Sequence, residues 1–250
     1  MKILVKFPTR ERPTKCIARL DEIYSLASDP KSVTTLVSYD HNDPSMNQEW
    51  VKNSLAKYNV IAVRGSSSSK IHAVNRDMEM SGNWDIGVLL SDDMVCQMKG
   101  WDDRLREDMT KHFPDTMGAL WYWDGDQNTR LTFDHRGIRS KGLCTMNIFG
   151  RKYYDWRGNW YDPRFKSLWC DNMETDIMMN EHGNYYEGKG KYHYSEDVMF
   201  RHVHYSNTQS EQPDRLMKHT QTFYSVDQVT YNYLKLQNHG LPIANKSQVK

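Results

Sequence analysis

Short apolar runs alternate with stretches of helical spacing through the first 113 residues. Ile3 to Phe7, Val33 to Tyr39, Asn59 to Arg64 and Ile86 to Leu90 each read as a strand. The last of these is apolar throughout, as expected for a strand covered on both faces. One intervening segment carries Ile17, Leu20, Ile23 and Ala27 on a single helical face, a second helix falls around Met46 to Leu55, and a third runs from Lys70 to Ser81. This βαβαβαβ series predicts a parallel, doubly wound sheet with right-handed crossovers. Ligands bind such sheets beyond the carboxyl ends of the strands. The segments at that edge, residues 8–13, 40–43, 64–70 and 91–94, are the polar and charged parts of this half.

The rhythm changes after a helix from Trp101 to His112. Met117 to Trp123 reads as a strand and Asp124 to Lys141 as a polar loop or hairpin. Cys144 to Phe149 is again strand-like, and Arg151 to Trp156 a short helix. The segment from Asp171 is helical, Val198 to Tyr205 alternates as a strand does, and Val226 to Asn238 closes the chain as a helix before a polar tail. Without an internal repeat or a linker, residues 1–250 read as a single α/β domain. Its first half is 1–113 and its irregular second half 114–250.

Charge changes this picture little. Lys and Arg number 33 against 32 Asp and Glu, so no global field draws the chain to nucleic acid or a membrane. Cys16, Cys96, Cys144 and Cys170 form no C-x-x-C pair, which argues against a zinc knuckle and a disulfide scaffold. No apolar stretch approaches the roughly 18 residues of a membrane span. The opening MKILVK is interrupted too soon for a signal peptide, so a cytoplasmic location is expected. Aromatic residues, 12% of the chain, gather between Trp121 and Tyr194. They fit either a binding surface or a core poor in Leu and Val.

Four constellations could carry chemistry. Asp92 and Asp93 stand side by side at the mouth of the fourth strand, where like charges repel and a positive partner would offset the cost. Mg²⁺ or Mn²⁺ suits two hard oxygen ligands; an acidic helix start is the alternative. His202 and His204 share one face of a strand, and imidazole joins carboxylates around Mn²⁺; an inert exposed pair is the alternative. In WCDNMETDI, Asp171, Asn172 and Glu174 crowd a helix start as caps or as a general base facing a cleft. Leu168, Trp169 and Cys170 ahead of Asp171 would desolvate it and raise its pKa. Finally, RGSSSSKIHAVNR offers backbone and hydroxyl donors with Arg64 and Lys70 beside them, although it is no Walker A motif. A flexible serine-rich turn is the alternative there.

In order, ILVKFPTRERP, SYDHND, GSSSSKIHAVNRDM, DIGVLLSDDM, YDPRFKSLWCDNMETDI and FRHVHY resemble the GT-A fold glycosyltransferases, family 2-like enzymes that use nucleotide-activated sugars. The resemblance spans roughly residues 2 to 205. It implies a nucleotide-diphospho-sugar transferase fold and a hexosyl- or pentosyltransferase working from a donor such as a UDP-sugar. Thr9, Arg10, Arg12, Asp40, Arg64, Lys70 and Asp92 would bind that donor. Asp92 matches the last Asp of the family's D-x-D motif; with Asp93 and His204 or His202 it would hold Mn²⁺ or Mg²⁺. The chain departs from the pattern at Leu90, where many relatives carry the first Asp.

By the same resemblance Asp171 would deprotonate the acceptor, giving inversion at the anomeric carbon. Trp123, Trp169, Asn172 and Glu174 would face an acceptor that is a saccharide, a small molecule or a hydroxymethylated DNA base of the kind some phage enzymes modify. Two other classes stay open: a sugar-nucleotide nucleotidyltransferase, although PTRERPT lacks that class's glycine-rich signature, and a non-catalytic carbohydrate-binding module.

Overall fold

The computed structural model describes residues 1–179, 192–203 and 214–240. Strand β1 (Ile3–Pro8) is its axis. Ile3, Val5 and Phe7 enter the core shared with helix α1 (Pro13–Leu26), which buries Cys16, Leu20 and Ile23. Leu4 and Lys6 take the opposite face, as the two-residue period of a strand requires. Strands β2 (Val33–Asp40) and β4 (Ile86–Leu89) flank β1 in parallel, and β3 (Val60–Gly65) adds to β2. Helices α2 (Glu49–Leu55) and α3 (Lys70–Asn75) make the crossovers. The third helix is shorter than expected: Arg76 is extended, and a 3₁₀ turn over Met78–Met80 follows.

Beyond β4 come β5 (Met94–Cys96), helix α4 (Trp101–His112), β6 (Ala119–Tyr122) and a small hairpin of β7 (Thr132–Phe133) and β8 (Arg139–Lys141). Strand β9 (Ile148–Gly150) inserts antiparallel between β4 and β6. Helices α5 (Arg151–Arg157) and α6 (Cys170–Met179) lead to β10 (Tyr192–Ser195), β11 (Phe200–His202), α7 (Arg215–Gln221) and α8 (Tyr224–Leu236). The seven-stranded sheet runs β10-β6-β9-β4-β1-β2-β3, while β11 pairs antiparallel with β5.

Most of the aromatic cluster is core. Trp121, Tyr153, Trp160 and Tyr161 are buried with Phe149, Met173 and Ile177. Gly87 interrupts the fourth strand for the same reason: a Cβ there would lie 2.7 Å from the Trp160 ring. Large apolar rings cost least away from water, so the aromatic density packs the second half rather than decorating a surface. Tyr185 and Tyr186 lie outside the described residues.

Lys6 is fully buried in the middle of the sheet, donating to Ser38 Oγ and to the Arg76 carbonyl at 2.8 Å. Burial pushes its pKa from 10.5 down to about 7, against the pull of Asp77 and with a further push from Arg76. Between those values the unfolded chain holds a proton that the folded chain lacks, so Lys6 makes stability rise with pH over that window. Lys6→Met removes the dependence. The stability of the Lys6→Met variant relative to wild type is therefore expected to be most favourable near pH 7 and to fall towards pH 10, by at most about 1.4 kcal/mol per unit. Denaturant melts of both proteins across that range measure it, and a difference independent of pH refutes it.

Candidate functional site

The carboxyl ends of β1, β2 and β4 open into a cavity of about 880 Å³. Thr9, Arg10, Arg12, Asp40 and the serine loop 67–69 with Lys70 form its first-half wall. Asp92 and Asp93 form its floor, and His202 from β11 and Asp171 from the first turn of α6 face it from the second half. Residues 215–217 and 219–221 of α7 and Phe223 also line it. This is the edge where a doubly wound sheet presents its ligand site.

The two adjacent carboxylates are neutralised by different partners. Asp92 Oδ1 accepts from Arg12 Nη1 at 2.6 Å, and its Oδ2 from Thr9 Oγ1 at 3.3 Å. Burial raises the Asp92 pKa; Arg12 pulls it back and the neighbouring Asp93 pushes it further up. Asp93 instead accepts from Ser91 Oγ and faces His202 Nε2 at 3.4 Å. Despite burial, hydrogen bonds from His202 and Ser91 hold its carboxyl well below the usual range. His202 is correspondingly raised to about 9: burial disfavours its charge, but Asp124 and Asp93 outweigh that. The positive partners that the acidic tip demands are thus a guanidinium and an imidazolium.

Asp124, which does not line the cavity, supports His202 from behind it, and sequence reasoning missed it. It is 2% exposed, accepts from Thr129 Oγ1 and from Thr145 Oγ1 at 2.7 Å, and sits 3.7 Å from His202 Nδ1. Its backbone carbonyl also accepts from the His202 N–H at 3.0 Å. The available signal was positional, since Asp124 follows an apolar strand just as Asp92 does.

These groups can be tested against the divalent ion that the fold implies. Asp93 Oδ2 and His202 Nε2 face each other closely enough to share a cation in place of the proton between them. Asp92 is held by Arg12 and Thr9 instead. Leu90 cannot contribute: it is 1% exposed, packs in the α1-side core, and donates its N–H to the Lys6 carbonyl at 3.0 Å. His204 lies outside the described residues.

Around the donor side, Arg10 pairs with Asp40, whose buried Oδ1 accepts no hydrogen bond and lies 3.7 Å from Arg76 Nη2 on the cavity wall. On the opposite wall, burial raises the pKa of Asp171, against the Asn172 N–H at 2.9 Å and the charge of Lys70. The loop before it is fastened by Asp227 of α8, which is fully buried and accepts from the N–H groups of Lys166, Ser167 and Leu168 at 2.8–2.9 Å. Arg12 also binds Asp214 at 2.6 Å and Glu11 binds Arg215 at 2.7 Å, so α7 is tied across the mouth.

Five expected site residues stand elsewhere. Arg64 is exposed and donates to the His41 carbonyl at 3.2 Å, because alternation along β3 turns it from the cavity. Trp123 donates to the Asp126 carbonyl at 2.7 Å, with Arg130 over its ring. Trp169 packs against Tyr231 and Tyr224. Asn172 meets the site only through its backbone, and its side chain does not line the cavity. Glu174 is fully buried in an ion pair with Arg157 of α5, two parallel N–H···O bonds of which one is 3.1 Å. One helical turn beyond Asp171, it faces the neighbouring helix rather than the cavity.

No protein-family model matches the sequence, and no curated protein matches it. Solved structures do. A mannosyltransferase from Pyrobaculum calidifontis, in complex with GDP-Man and Mn²⁺, superposes with a TM-score of 0.54 at 13% identity, over 81% of this chain and 56% of that one. S. aureus TarS 1-349 in complex with UDP gives 0.58 at 13% identity, over 80% and 59%. GalNAc-T7 with UDP, GalNAc and Mn²⁺ gives 0.56 at 12% identity, over 80% and 43%. The chain thus spans about half the length of these proteins. The strand order, the position of the cavity and these likenesses agree: the chain has the GT-A fold of nucleotide-sugar transferases.

Proposed function

We propose that the chain is a glycosyltransferase that moves a sugar from a nucleoside-diphosphate donor to an acceptor hydroxyl. One observation carries the reading: Asp92 and Asp93, the cations Arg10, Arg12 and Lys70, and the partly desolvated Asp171 all face a single cavity. The first-half wall takes the donor, with Asp40 Oδ1 receiving an N–H or O–H of the nucleoside and Lys70 and the serine loop meeting the diphosphate. UDP is the first nucleotide to test. Across the cavity, Asp171 orients the acceptor hydroxyl and takes its proton as the oxygen attacks the anomeric carbon. Attack from the face opposite the leaving group inverts that carbon.

A divalent cation held by Asp93 and His202, with Asp92 beside them, would neutralise charge on the departing diphosphate. The acceptor is a saccharide or small molecule, or a hydroxymethylated DNA base, meeting Tyr161, Leu168 and Phe223 on the second-half wall. Among the described residues no helix is long and apolar enough to cross a membrane.

Nucleotide sugars should raise the melting temperature, because a ligand that binds only the folded state stabilises it. A panel of UDP- and GDP-sugars, with and without Mn²⁺, identifies the donor. Asp92→Asn is expected to weaken donor binding about tenfold or more, since it loses the charge that holds Arg12 in place. A panel in which no nucleotide sugar shifts the melt defeats the proposal.

A further inference from the structure

We propose that Asp108, His112 and His193 form a second divalent-metal site, outside the cavity and suited to Zn²⁺. Asp108 and His112 lie one turn apart on α4 and therefore share a face. His193 comes from β10, opposite Leu120 of β6. Ligand atoms of the three residues lie within 4.8 Å of one another, and no other such group of three occurs among the described residues. None of the three lines the cavity.

Three further observations point to a ligand. His112 Nε2 is buried and without a hydrogen-bond partner, an arrangement that folded proteins generally avoid. The two imidazoles stack face to face, with centroids 3.7 Å apart and planes 11° from parallel. Nitrogens of both rings thereby come within reach of a single ion. Lastly, the hydrogen bonds that Asp108 accepts, from Tyr122 Oη and from Arg104 Nε at 2.8 Å, both fall on Oδ2. They orient the carboxylate as outer partners of a metal ligand do and leave Oδ1 for the ion.

Two imidazoles and one carboxylate, with one position left for water, suit Zn²⁺ or Co²⁺ better than Mg²⁺ or Mn²⁺. Zinc–nitrogen bonds near 2.0–2.1 Å would draw the two nitrogens to roughly 3.3 Å. The rings must swing from stacked to convergent, and His193 is half-buried on the outermost strand of the sheet, where such a swing is least hindered. The bound ion would pin the last turn of α4 to β10, a strand that the sheet holds on one side only. It is a fastening of the fold, independent of sugar transfer.

The test uses the untagged full chain, stripped with a chelator and titrated with Zn²⁺ by calorimetry and thermal shift, with Co²⁺ as a spectroscopic stand-in. In the Asp93→Asn background, where the cavity site is removed, the expected result is one equivalent bound, a higher melting temperature and the intense visible absorption of four-coordinate Co²⁺. His193→Gln and, separately, Asp108→Asn should weaken binding at least tenfold, whereas Asp93→Asn should leave it intact. The proposal is overturned if Zn²⁺ neither binds nor shifts the melt, or if its binding survives His193→Gln and disappears in Asp93→Asn. Intense four-coordinate absorption in the wild type supports the proposal even where His193→Gln fails to fold, and its absence from both the wild type and Asp93→Asn overturns it.

Discussion

Asp171→Asn is expected to reduce turnover by about 10²–10⁴-fold, the usual contribution of a general base, while leaving nucleotide-sugar affinity nearly unchanged. Asn preserves the shape of the side chain and can still accept the Asn172 N–H that Asp171 accepts at 2.9 Å. What it loses is basicity, which burial has raised in this carboxylate. Donor affinity should survive because the proposed donor contacts belong to β1, β2 and the serine loop, not to α6. Initial rates with a competent acceptor, together with calorimetric titration of the donor, separate the two effects. Unchanged turnover would remove Asp171 from the chemistry. Loss of donor affinity would move it to the other wall.

Glu174→Ala is expected to do the reverse. It removes a fully buried carboxylate that holds Arg157 through paired hydrogen bonds. Breaking one side of such a buried pair costs about 3–5 kcal/mol. For a chain of this length that is a fall in melting temperature of about 10 °C. The rate per folded molecule should barely change, because Glu174 does not line the cavity. Thermal melts and rates normalised to folded protein check both halves. A normal melt with impaired catalysis would return Glu174 to the acceptor side.

Asp171 and Glu174 stand one turn apart on α6, and the contrast between them shows what the sequence alone can say. Their crowding at a helix start was legible, and so was the desolvating run before Asp171. Which of the two faces the cavity depends on α5, whose Arg157 reaches Glu174 from 17 positions away. The first half was readable because parallel strands buried on both faces announce themselves as apolar runs, and their carboxyl ends then collect the polar loops. Asp40, Asp92 and Asp93 followed from that geometry.

The second half offered no comparable signal. Strand β10, Tyr-His-Tyr-Ser, is half-buried along its length and lacks clean alternation. Helix α7, Arg-Leu-Met-Lys-His-Thr-Gln, is too short and polar to stand out, although it borders the cavity. Even the charge question at the fourth strand was half legible: the need for a positive partner could be read, but not that Arg12 and His202 already supply it.

Arg12 has one guanidinium for two carboxylates, Asp92 on the cavity floor and Asp214 at the start of α7. Whatever draws Asp92 away redistributes that positive charge towards Asp214, and whatever loosens α7 returns it to the floor. The floor of the cavity and the start of α7 are therefore linked through a single side chain. Arg12→Lys, retaining the charge but not the fork of donors, would uncouple them.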